Sequence, residues 1–410
     1  SFVTVKSGDG DKLGEVVGVD GDRAIVMMLG QTAGIRAGDR VVGERSAAVV
    51  PVGRRLLGRV IDALGRPLDG MAAPTDLVGA PLLPPPISPL QRSTITRALP
   101  TGVRAIDLMT TVGRGQRMGI FAGPGVGKST LMGSIAKNTA ADVSVIALIG
   151  ERGREVRDFV ERSLGEKGLE KSVVVVATSD DSPLVRIRAA LAAASIAEHF
   201  RDEGADVMLL MDSITRFAQA QRQVGLSVGE PPATKGYTPS VFAMLPLLLE
   251  RAGAVEGGGS VTGFYAILVE GDDMTEPIAD AARGILDGHV ILSRKLAHQG
   301  HYPAIDVLDS VSRVAGDVTD RQHQAARLHI QKLLAAHREV EDLVQIGAYA
   351  RGSNPMADVA IALRHKLDGL LRQGAEDRET FEESKKRLLS LAVEAGALLQ
   401  QANRAAGRAG

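Results

Sequence analysis

The sequence predicts an α/β protein, with an all-β segment ahead of its central region and an all-helical segment after it. Three observations carry this. Between residues 95 and 318, apolar runs of strand length at 117–122, 143–150, 173–178, 207–212, 264–269 and 289–292 alternate with helix-length segments. These runs do not alternate polar with apolar, so they predict a sheet buried on both faces. Residues 1–80 instead hold short Val- and Ile-rich runs at 16–19, 24–29, 40–42 and 56–61. Turn residues such as Asp20-Gly21-Asp22 and Gly38-Asp39 separate them, which predicts a small β-barrel. From about residue 320 the strands stop, and 321–346, 356–373 and 380–403 carry helical periodicity.

The boundaries follow from local chemistry. Pro81, Pro84, Pro85, Pro86 and Pro89 crowd a stretch that fits neither a helix nor a central strand, so 81–94 reads as a linker. The predicted order is a barrel at 1–80, the linker at 81–94, a nucleotide-binding catalytic domain at 95–318 and a helical domain at 319–410. Ser182-Pro183 supplies an N-cap and a first-turn proline for one of the core helices.

Composition excludes several classes. The 410 residues hold 48 basic and 49 acidic side chains, a net charge of −1, which argues against binding nucleic acid by charge alone. No Cys is present, so there is no thiol nucleophile, disulfide or Cys-bound zinc, and a reducing compartment suits the chain. The run 242–249 is among the longest apolar stretches and falls far short of the ~18 residues that span a bilayer. No secretory signal is visible, and an opening Ser1 in place of Met is expected of a trimmed chain.

The sharpest chemical signal is Ala122-Gly123-Pro124-Gly125-Val126-Gly127-Lys128-Ser129-Thr130, between a buried strand and a helical segment. That is the setting of a P-loop. Its glycines let backbone N–H groups turn inward around phosphate. Lys128 reaches the β- and γ-phosphates, the Ser129 hydroxyl ligates Mg²⁺, and the helix N-terminus favours the anion. Ala122 stands where the first glycine is usual.

The apolar run ending in Asp212 places a carboxylate at the C-terminal edge of a parallel strand, where it would hold Mg²⁺. Glu151, in Gly150-Glu151-Arg152-Gly153-Arg154-Glu155, follows another strand and suits polarising an attacking water, although the stretch reads equally as a solvated charge run. Arg313 reads by itself as a loop arginine in a surface ion pair. Tyr302 and Tyr349 are two of only four tyrosines, able to stack on adenine or to pack in a core.

Together these residues resemble the catalytic subunits of the rotary-type ATPases, with a RecA-like P-loop NTPase core between an N-terminal β-barrel and a C-terminal helical domain. Within that group the chain is most similar to the ATPase of type III protein export, above all the flagellar one. The resemblance covers essentially the whole chain. It rests on Leu57-Gly58-Arg59-Val60-Ile61-Asp62, Pro100-Thr101-Gly102-Val103-Arg104, Pro232-Ala233-Thr234-Lys235-Gly236-Tyr237, Ile285-Leu286-Asp287-Gly288-His289 and Gly300-His301-Tyr302-Pro303. It implies Glu151 as catalytic glutamate, Arg152 as its support, Arg216 near the γ-phosphate and Arg313 as an arginine finger for the neighbouring subunit. It places an adenine-stacking aromatic at Tyr302.

The resemblance further implies ATP and Mg²⁺, a homohexameric ring and partners of five kinds: a stator-like regulator, a coiled-coil stalk, chaperones, export substrates and a membrane export gate. The implied location is the cytoplasm, peripheral at the inner face of the bacterial membrane. The resemblance also implies a segment ahead of the barrel that binds the regulator, and a trimmed chain is expected to lack most of it.

Other readings fit less well. A catalytic subunit of a proton- or sodium-translocating rotary ATPase shares the chemistry but not Lys235-Gly236-Tyr237 or the run at 247–253. A ring helicase needs stacking aromatics and a basic barrel face. Residues 1–80 offer one aromatic, Phe2, and ten basic against ten acidic residues, so no nucleic-acid partner is expected. A regulatory nucleotide-binding subunit would lack the Glu151 carboxylate.

Overall fold

The computed structural model describes residues 2–43 and 48–409. Its first strands are β1 (Phe2–Ser7), β2 (Gly10–Asp20), β3 (Arg23–Met28), β4 (Arg40–Gly43), β5 (Val49–Val52), β6 (Arg59–Asp62) and β7 (Val78–Pro81). There follow α1 (Arg104–Met109), β8 (Arg117–Ala122), α2 (Lys128–Asn138), β9 (Val143–Glu151), α3 (Gly153–Asp158), α4 (Gly165–Glu170), β10 (Ser172–Thr178), α5 (Pro183–Asp202) and β11 (Asp206–Asp212). Then come α6 (Ile214–Ser227), α7 (Pro239–Leu249), β12 (Gly253–Ala254), β13 (Ser260–Leu268), α8 (Pro277–Ile285), β14 (Gly288–Leu292), α9 (Arg294–His298) and β15 (Ile305–Ser312). The chain closes with α10 (Arg321–Gln345), α11 (Pro355–Ala362), α12 (Arg364–Leu371) and α13 (Phe381–Ala409).

These elements form two compact units, one of residues 1–94, 114–121 and 141–286, the other of 95–113, 122–140 and 287–410. In the first unit, β3-β2-β1-β4 make an antiparallel sheet, and β5 pairs with β7. The run 56–61, read from sequence as one more strand of the barrel segment, goes elsewhere. Its β6 lies parallel to β10, with Val60 opposite Val174. Ile61 is fully buried there, which an apolar run gains by lying on an already covered sheet.

The first unit's main sheet has the order β8-β13-β11-β9-β10-β6. β13, β11, β9, β10 and β6 run parallel, so their C-terminal ends share one edge. Val145, Ile146, Val174, Val175, Leu210 and Phe264 are completely buried, as continuous apolar strands require. α5 begins as its sequence dictates: the Ser182 hydroxyl accepts from the Val185 N–H at 3.4 Å, and Pro183 opens the first turn.

The second unit holds the phosphate loop, α1, α2, the antiparallel β14–β15 pair and the helices from α9 to α13. β15 was not visible in the sequence, because its burial is irregular along the strand. The helical stretch 356–373 is two helices, broken at Leu363, whose ψ of 5° leaves the helical range. α10 and α11 meet around Ala336, Val340 and Ala357.

Candidate active site

In the second unit the loop after Ala122 ends on Gly127, which caps α2. Gly125 and Gly127 take φ values of 77° and 91°, a region that costs any side chain strain. Val126 is anchored in the interior, Lys128 is half-buried, and Pro124, Gly125, Ser129 and Thr130 are exposed. The first N–H groups of α2 precede any intrahelical acceptor, so they and the helix dipole form an anion cradle.

Beside this cradle lies a cavity of about 330 Å³, still wholly within the second unit. One wall is α2, through Thr130, Leu131 and Ser134; another is Tyr302 to Ala304; a third is Gln373 to Ala375. Tyr302 is 47% exposed, and its ring edge lies 3.5 Å from where a Gly127 Cβ would stand. A half-exposed ring over a cavity, next to a phosphate loop, offers a stacking face for a planar base. Sequence reasoning missed the third wall, since Gln373 reads as the end of a helical stretch and nothing marks Gly374-Ala375 as other than an interhelical loop.

Tyr349 is not part of this cavity. It packs against the α10–α11 cluster, and its hydroxyl donates to Asp358 Oδ1 at 3.0 Å, so of the two alternatives the core one describes it. Arg313 is exposed just past β15, its N–H bonded to the Asp287 carbonyl at 2.9 Å.

In the first unit, Asp212 and Glu151 end neighbouring parallel strands. Asp212 pairs in register with Leu148, so both carboxylates stand at the same sheet edge. Asp212 is buried and Glu151 half-buried. Arg216, on the first turn of α6, comes to 4.0 Å from Glu151 Oε2. Gly150 makes that approach possible: its φ is 73°, and a Cβ there would lie 2.9 Å from Arg216 Cδ.

Glu155 is held below the usual carboxylate range by a hydrogen bond with the Glu151 carboxyl. The Arg152 N–H and the charges of Arg152 and Arg216 add to this, against partial burial. Arg186 of α5, unmarked in the sequence, belongs to the same cluster. Burial first, then the neighbouring Arg216 charge, lower its pKa. The edge therefore combines carboxylates with several guanidinium groups, a setting for a water or a phosphoryl oxygen.

Family models account for most of the chain. Residues 2–44 match the β-barrel domain of the ATP synthase alpha/beta family, 102–312 its nucleotide-binding domain, and 319–390 the T3SS EscN ATPase C-terminal domain. The chain belongs to the ATP synthase alpha/beta family. Within it, the flagellum-specific ATP synthase of Treponema pallidum is 54% identical over 372 residues, spanning 91% of this chain and 83% of that one.

The assembled ATPase EscN of the enteropathogenic E. coli type III secretion system superposes with a TM-score of 0.91 at 43% identity. The match spans 95% of this chain and 94% of that one. EscN in complex with its central stalk EscO gives 0.88 at 42% over the same shares. This family member is thus a nucleotide-binding ATPase, with the barrel, nucleotide-binding core and C-terminal domain of its relatives. Among the described residues no helix is long and apolar enough to cross a membrane.

Proposed function

We propose that this ATPase works as a ring of six identical subunits energising type III protein export, in its flagellar form, by releasing chaperones and loading or unfolding substrates. The observation that carries this is the match of residues 319–390 to a secretion-ATPase C-terminal domain, which favours export over ion translocation. The assembled state and the stalk complex of EscN support a ring and a coiled-coil stalk partner here. A stator-like regulator, the export gate and a peripheral place at the inner face of the cytoplasmic membrane belong to the same proposal.

Lys128 and the loop's N–H groups hold the β- and γ-phosphates, with Tyr302 against the base. Ser129 and Asp212 offer a hydroxyl and a carboxylate oxygen, the hard donors Mg²⁺ takes. No cluster of three or more His, Asp or Glu suited to a metal occurs among the described residues. Bound there by Ser129 and Asp212, Mg²⁺ would supply positive charge against the phosphate oxygens. Glu151 orients and polarises the attacking water, Arg152 supports it, and Arg216, 4.0 Å from Glu151 Oε2, lies near the γ-phosphate. Arg313 reaches the γ-phosphate of a neighbouring subunit.

The test is deletion of the gene in its source bacterium, with flagellar proteins in the medium as the readout. Loss of export, restored by the wild-type gene but not by Lys128→Ala, is expected. Intact export after deletion would overturn the proposal.

A further inference from the structure

The third wall of the cavity beside the phosphate loop is tied down by one side chain. Gln373 lies in the loop between α12 and α13. Its Oε1 accepts from the Arg104 N–H at 2.8 Å, and its Nε2 donates to the Gly102 carbonyl at 2.9 Å and the Asp377 carbonyl at 3.1 Å. Its own backbone N–H donates to the Tyr302 carbonyl at 2.9 Å. One donor faces the oxygen end of this amide and two acceptors face the nitrogen end, so the network itself fixes its orientation.

Neighbouring contacts pull the same way. Arg104 pairs with Glu379 at 2.6 Å, buried on the arginine side, and donates to the Arg372 carbonyl at 2.8 Å. Arg372 Nε lies 3.3 Å from His301 Nδ1, next to Tyr302. Two consecutive residues of the α12–α13 loop therefore bond two consecutive residues of the loop bearing the aromatic wall.

We propose that Gln373 is a positioning residue for nucleotide affinity: it fixes the spacing between the Tyr302 ring and the opposing loop at the thickness of a bound base. This rests on reading the Tyr302 cavity as the base site. Gln373 approaches no phosphate-loop residue among its hydrogen bonds, so it acts on the base and not on the reacting phosphates. A spacing set before the transition state is reached alters ground and transition states alike, and such uniform binding appears in KM.

The experiment compares Gln373→Glu, Gln373→Met and Tyr302→Ala with wild type, after confirming equal melting temperatures for those that fold. KM and kcat for ATP are measured, together with inhibition by tripolyphosphate, which has the phosphates but no base. Glu sets a carboxylate against two carbonyls, and Met keeps the length without any hydrogen bond. Gln373 is only half-buried on an exposed loop, so both replacements are compatible with folding.

The expected result for both Gln373 variants is a KM raised about tenfold, the loss of two or three hydrogen bonds' worth of ordering, with kcat within about twofold and tripolyphosphate inhibition unchanged. An unchanged KM beside a raised KM in Tyr302→Ala overturns the role of Gln373 alone. Parallel weakening of tripolyphosphate also overturns it, since the effect would then reach the phosphate loop. An unchanged KM in Tyr302→Ala overturns the base-site reading and this inference together.

Discussion

Glu151 and Gly150 sit side by side in the sequence, and the proposed mechanism uses them differently. Glu151→Gln keeps size and hydrogen-bonding shape but removes the charge proposed to polarise water. ATP binding, followed by a fluorescent analogue, should stay within about twofold while turnover falls by roughly 10²-fold or more. Joint loss of binding and turnover would make Glu151 a structural residue. Gly150→Ala tests the geometry behind it. The new methyl would meet Arg216 Cδ at 2.9 Å, on a backbone already at φ 73°. Arg216 must then swing away from Glu151. Small misplacements of this kind cost tenfold to about a hundredfold in rate, so kcat should drop by that much with KM nearly unchanged. A wild-type kcat would show that Arg216 does not need its present position.

At the scale of elements, α10 is docked by its first turn. The Asp320 carboxylate caps it by accepting from the His323 N–H at 2.9 Å and also pairs with Lys385. The His323 ring is buried: Nε2 lies 2.9 Å from the Leu108 carbonyl of α1, and the ring centroid is 5.8 Å from that of Phe381. Burial pushes its pKa below 6.5; the Leu108 carbonyl opposes this, as does Asp320, while Arg327 and Lys385 reinforce it. A histidine with a depressed folded pKa stabilises the fold above its unfolded pKa. That stability is lost as pH falls below 6.5 toward the folded value, because the unfolded chain takes up the proton first. Burial likewise lowers the pKa of His301 and His337, which adds to the same slope. The melting temperature should fall on acidification through this window, and His323→Gln, which keeps a donor for the Leu108 carbonyl, should flatten the fall. An identical slope in that variant would remove His323 from the account.

At the scale of the molecule, the role proposed for Arg313 requires more than one copy. It is exposed at the end of β15. An arginine finger presented to a neighbour is worth roughly 10³–10⁵ in rate. Arg313→Ala should therefore bind ATP and associate normally, yet hardly turn over. Mixed with Glu151→Gln, also inactive alone, it should regain part of the activity at each interface where an intact Glu151 site faces an intact Arg313. Mixed rings that form and stay silent at every ratio would disprove a shared site. The wild-type rate per subunit should also rise with protein concentration until assembly is complete.

Local chemistry made the phosphate loop, the carboxylates at the ends of the core strands and the Ser182 cap legible in the sequence. Each depends on residues adjacent in the chain: glycines that tolerate φ near 77° and 91°, and an apolar run that ends in Asp212. What tertiary structure alone decided are the facts that join distant segments. Tyr302 and Tyr349 were equal candidates as letters, and only the fold sets one over a cavity and the other against Asp358. The strand at 59–62 left its sequence neighbours because a buried parallel edge covers Ile61 better than a small antiparallel sheet does. The wall at Gln373 stayed invisible for the same reason. Its hydrogen bonds reach back 269 and 271 residues, to Arg104 and Gly102, and no periodicity or spacing records a partner that far away.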